Sequence, residues 1–180
     1  MTLILCPGMH DPTWTTAFWQ SLITQGPIAL TRSPPVIFPS NRYPAYSPWH
    51  LFAFLQTVQP APPWLFLGFS AGCVAIAGTL PLLACCQVPI TAIFALDAWG
   101  VIFPTATPVH RLSHDYFTHW TSGWLGGRGE SFYADPAVEH LSLWRSPQTV
   151  AGWQVSPTQP QAHYTTACQF LQQQLASYIF

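Results

Sequence analysis

The sequence predicts an α/β fold: a single domain on a mostly parallel sheet of about six strands, with helices on both faces. Short apolar runs alternate with longer stretches of helical character along the 180 residues. The runs are apolar throughout rather than at every second position, as strands buried on both faces are. No repeat, linker or low-complexity segment divides the chain, and its length suits one core.

The first strand is Leu3-Ile4-Leu5-Cys6, ended by Pro7-Gly8. Asp11 caps a helix from Pro12 to Ile23, with proline at the first helical position, where its missing N–H costs nothing. Pro34-Pro35 open a second strand, Val36-Ile37-Phe38, and Pro39 stops it; a loop spans Asn41 to Ala45. Ser47-Pro48 starts a helix to about Val58 by the same cap-and-proline logic. Trp64–Phe69 is the third strand, Ala71 to about Cys86 a helix, and Thr91–Leu96 the fourth strand. Weaker strands are expected from Pro108 to His114 and at Ser131-Phe132-Tyr133. From His163 a Gln-rich helix runs to the end, with Phe170, Leu171, Leu175 and Ile179 on one apolar face.

Composition narrows the function. Residues are 49% hydrophobic and 15% aromatic but only 6% charged, which excludes a disordered chain. The five basic residues are all Arg, scattered along the chain, and the net charge is −1. Nucleic-acid binding needs a basic stripe to displace phosphate counterions, so no nucleic-acid partner is expected; a polybasic membrane anchor fails on the same count. The five cysteines show no Cys-x-x-Cys or Cys/His zinc spacing. They read as reduced residues, mostly in apolar surroundings, and the start Met-Thr-Leu-Ile-Leu-Cys lacks a secretory pattern, so a cytoplasmic location is expected.

Trp64 to Cys86 carries no charge over 23 residues and is long enough to cross a membrane. Pro62-Pro63 precede it, Pro81 interrupts it and no Lys or Arg flanks it. Its bulky first part and small-residue second part read instead as a buried strand and a helix packed close to a sheet.

The join between them is Gly68-Phe69-Ser70-Ala71-Gly72, a G-x-S-x-G pattern between a strand and a helix. That context presents a serine hydroxyl on a strained turn, and glycine on either side removes the Cβ atoms that would clash there. At this point the chain resembles the α/β-hydrolase superfamily, in its small branch without a large cap domain, from Leu3 to about Val150.

The resemblance implies Ser70 as nucleophile and the amides of Ala71 and Met9 as the oxyanion hole, Met9 lying in the loop Cys6-Pro7-Gly8-Met9-His10. It also implies an acid and then a base later in the chain. The segment His114-Asp115-Tyr116-Phe117-Thr118 looks like the family's acid turn. His140, with Pro147 and Val150 downstream, looks like its histidine segment. The expected triad is therefore Ser70, His140 and Asp115. Two alternatives stay open: Asp97 as the carboxylate, or Asp135 with His163, in which case Pro136 to Arg145 would form a helix.

The expected reaction is cleavage of a small apolar or aromatic carboxylic ester through an acyl-enzyme. Thioester or amide cleavage uses the same parts, and a catalytically silent binding or assembly protein could keep the same turn. His10, Phe69, Trp99 and Phe117 are the expected substrate contacts, with Phe103, Trp120 and Trp124 near the mouth. Exposed aromatics in so uncharged a chain also point to contact with a lipid surface or a protein. No metal or cofactor is expected, because His110, His114 and His119 are irregularly spaced.

Overall fold

A computed structural model of the chain describes residues 1–24, 26, 34–127, 129–158 and 161–179. Its strands are β1 (Thr2–Cys6), β2 (Val36–Ile37), β3 (Trp64–Phe69), β4 (Ile90–Leu96), β5 (Val109–Ser113), β6 (Ser131–Ala134), β7 (Ala151–Val155) and β8 (His163–Thr166). Its helices are α1 (Pro12–Thr24), α2 (Pro48–Val58), α3 (Ala71–Cys85), α4 (Tyr116–Gly123), α5 (Ser142–Arg145) and α6 (Ala167–Ile179).

The strands form one sheet in the order β2-β1-β3-β4-β5-β6-β7-β8. It is parallel from β2 to β6 and antiparallel where β7 pairs with β6 and β8 with β7. Among the described residues the sheet therefore has eight strands rather than about six. The expected helix from His163 begins only at Ala167, because His163–Thr166 pairs with β7 as an edge strand. The side chain of Ile179, the last residue of the expected apolar face, lies outside those described.

Alternate residues of the central strands feed two cores. Leu3, Leu5, Leu65, Leu67, Phe94 and Leu96 meet α1, α5 and α6 on one face. Ile4, Cys6, Phe66, Ile93 and Ala95 meet α2 and α3 on the other. This two-sided burial is why β3 is buried at every position. In the first core the Trp144 indole stacks on Phe18 with centroids 3.8 Å apart. No helix among the described residues is long and apolar enough to cross a membrane. The apolar stretch that raised the question is divided between β3 and α3.

Local chemistry accounts for the boundaries. The Ser47 hydroxyl accepts the His50 amide at the start of α2. The Asp11 carboxylate accepts from the Thr13 amide, 2.8 Å, ahead of α1. Gly72 lets α3 press against the sheet, since a Cβ there would run into the Cys6 carbonyl. Gly78 does the same between α3 and Pro48 of α2.

Candidate active site

The Ser70 turn sits at the carboxyl edge of β3. Ser70 has φ 50° and ψ −114°, a left-handed strain that few side-chain-bearing residues adopt. Its amide donates to Leu96 O at 2.9 Å and its carbonyl accepts from the Cys73 amide at 3.0 Å, so β4 and α3 hold the turn from both sides. The β1 loop lies against it: a Cβ on Gly8 would approach Ser70 Cβ to 3.4 Å. Ser70 and Ala71 line a cleft of about 620 Å³ with Val74, Asp97, Trp99, His114, Phe117 and His140 among its walls.

Asp97 ends β4 on a second strained residue, φ 49°. It is buried, and three donors converge on its carboxylate. The His114 amide donates to Oδ1 at 2.8 Å, while His114 Nδ1 and His140 Nδ1 lie 2.9 and 2.7 Å from Oδ2. The sheet brings this about: β4 and β5 are parallel neighbours with Leu96 beside Leu112, so Asp97 and His114 leave the same edge together. Phe69 stacks under the His140 ring at 4.8 Å and 24°, fixing its tilt.

The carboxylate on His140 is thus Asp97, and the expected partnership of Asp115 with His140 is corrected. Asp115 is the N-cap of α4, its Oδ1 accepting the Thr118 amide at 2.6 Å and its Oδ2 lying 3.4 Å from His114 Nε2. Burial alone would raise its pKa, but the Thr118 hydrogen bonds and His114 outweigh it and hold the carboxyl below its ordinary value. The carboxylate that ends a strand and faces an imidazole is one strand earlier than expected.

The alternative pair does not assemble. Asp135 accepts from Trp153 Nε1 at 2.9 Å, and His163 is exposed on β8, beside Gln154 in register. The helix expected from Pro136 shrinks to α5.

Of the expected contacts, Trp99 and Phe117 line the cleft and are exposed. Phe69 and His10 do not line it. Phe69 is buried beneath His140, and His10 packs among Trp14, Phe69 and Trp144. Burial lowers the His10 pKa. Met9 is exposed and its side chain is not part of the cleft wall. Phe103 is buried in the second core instead of standing at the mouth, whereas Trp120 and Trp124 are exposed and pack on each other at 4.5 Å. Cys73 is fully buried; desolvation pushes its thiol pKa up, which removes it as a rival nucleophile.

Sequence reasoning missed His114 as a partner of Asp97, and Val74 and Val101 as cleft walls. The signal available for His114 was its place one residue beyond a strand that neighbours the strand ending at Asp97. No protein-family model matches this chain, and comparison with curated proteins returns no match.

Proposed function

We propose that the chain is a serine hydrolase that cleaves carboxylic esters of small apolar or aromatic compounds through an acyl-enzyme, on an α/β-hydrolase-like scaffold. One observation carries the reading: a buried carboxylate holds His140 by Nδ1, at 2.7 Å, in the same cleft as a serine on a strained strand-to-helix turn.

Each residue then has one task. His140, with its proton on Nδ1 and held by Asp97, keeps Nε2 bare to accept the Ser70 proton as Oγ attacks the ester carbonyl. The tetrahedral oxyanion is held by the Ala71 amide and the Met9 amide, donors that need no reorganisation. His140 returns the proton to the leaving alkoxide, leaving an acyl group on Ser70. Water attacks that acyl group with His140 again as base, releasing the acid. Trp99, Val101 and Phe117 supply apolar surface for the substrate, and no Arg or Lys among the cleft-lining residues favours a polyanion.

A fluorophosphonate probe tests this directly. Wild type is expected to label and to turn over short p-nitrophenyl esters. Ser70→Ala is expected to lose both, turnover falling by about 10³-fold or more. A folded wild-type protein that neither labels nor turns over such esters would instead be a silent binding protein on the same scaffold.

A further inference from the structure

We infer that the cleft also binds one divalent transition-metal ion of the zinc class, on Asp97, His114 and His140, and that the bound ion switches off ester cleavage. The binding claim stands on these three side chains; the switching claim rests on the hydrolase reading.

Two imidazoles and a carboxylate converge here from two strand ends and a loop, with one ligand atom from each lying within 4.8 Å of the others. A tetrahedral zinc ion holds its donors about 3.3 Å apart, given metal–ligand bonds of about 2.0 Å. The two Asp97–His distances of 2.9 and 2.7 Å must open by about half an ångström. The two histidines can supply that motion, because their side chains are 27% and 44% exposed while that of Asp97 is 2% exposed. Asp97 is anchored through Oδ1 by the His114 amide, which leaves Oδ2 to coordinate. Mixed imidazole and carboxylate donors suit zinc and its neighbours in the transition series rather than magnesium or calcium.

Asp115 supplies an independent pointer. A metal-ligating imidazole usually donates its other ring N–H to a carboxylate, a backbone carbonyl or water. With His114 Nδ1 on the ion, Nε2 carries the proton, and Asp115 Oδ2 stands 3.4 Å from that nitrogen. The cleft leaves room for a water or small anion to complete the coordination.

The consequence for catalysis follows from the tautomer. Coordination at His140 Nδ1 moves the ring proton to Nε2. That is the atom that must be bare to take the Ser70 proton, so the loaded protein cannot activate its nucleophile. Asp97 is engaged by the ion at the same time.

The test titrates Co²⁺ and Zn²⁺ into the full chain and into Cys85→Ser/Cys86→Ser, because the two exposed thiols at the end of α3 could hold these ions by themselves. One equivalent of Co²⁺ with visible d–d absorption is expected in both proteins. His114→Gln and Asp115→Asn, each checked for native circular dichroism, are expected to weaken Co²⁺ binding by about 10-fold or more. Zn²⁺ is expected to suppress fluorophosphonate labelling, with recovery on adding EDTA. Binding that vanishes with the thiols, or that both variants leave intact, overturns the site. Undiminished labelling of zinc-loaded protein overturns the switch. If even metal-free protein fails to label, the hydrolase reading and the switch that depends on it both fall, while the cobalt spectrum still decides the site.

Discussion

Asp97 and Asp115 both line the cleft, and their surroundings separate their tasks. Asp97 is nearly sealed from solvent and accepts two ring nitrogens on one oxygen. Asp115 is half-buried and satisfies the first turn of α4. On the proposed mechanism, Asp97→Asn is expected to lower kcat for p-nitrophenyl esters by about 10³–10⁴-fold, since an amide in a triad holds the imidazole in the wrong tautomer. Asp115→Asn is expected to leave kcat within about 10-fold of wild type. It is also expected to leave the urea midpoint nearly unchanged, because asparagine caps a helix about as well as aspartate. A reversal of the two effects would return the catalytic role to Asp115. Ser70 was legible in the chain because a strained turn between a strand and a helix is local. The choice between two aspartates was not, because it depends on which strand lies beside which and on how a carboxylate is rotated.

At the level of elements, the segment from β1 to β4 follows its sequence closely, with caps, prolines and apolar runs all agreeing. The turn at Ser70 depends on α3 approaching β1 across Gly72, whose missing Cβ leaves room for the Cys6 carbonyl. Gly72→Ala is expected to destabilise the protein by about 3 kcal/mol or more, read as a lower urea midpoint, and to reduce labelling of whatever remains folded. A neutral effect would mean that the helix can slide without disturbing the turn. The β7–β8 hairpin escaped the sequence reading for a plain reason. Ala151–Val155 is short, partly buried and broken by Gly152 and Gln154, and His163–Thr166 is short, polar and largely exposed, so neither shows the apolar run that marked the central strands. The pairing of β7 with β6, and of β8 with β7, is what makes them strands.

For the molecule as a whole, the two cores press against one sheet, and a few polar groups are buried with them. His110 is buried, stacked on Phe94 at 4.7 Å with its Nε2 2.8 Å from the Tyr178 hydroxyl. Burial lowers its pKa, as it does for His10 and His119. Below about pH 6.5 the unfolded chain takes up these protons before the folded one does, so stability is complete above that pH and declines as pH falls. Each histidine adds a slope of at most about 1.4 kcal/mol per pH unit in that window. The depressed Asp115 acts in the same direction at lower pH, its contribution being lost below the ordinary carboxylate range. Urea midpoints measured between pH 7.5 and pH 5 are expected to fall on acidification, and His110→Gln is expected to flatten the curve. A midpoint independent of pH across that range would contradict the burial of these rings. The alternation of apolar strands with capped helices, and the glycine-flanked serine, follow from contacts between near neighbours in the chain, so composition and spacing were enough to find them. The extra hairpin, the inward turn of Phe69 and Phe103, and the meeting of Asp97, His114 and His140 required the strands to be laid side by side. Hydrogen bonds between residues remote in sequence have no counterpart in local pattern, and packing alone selects among them.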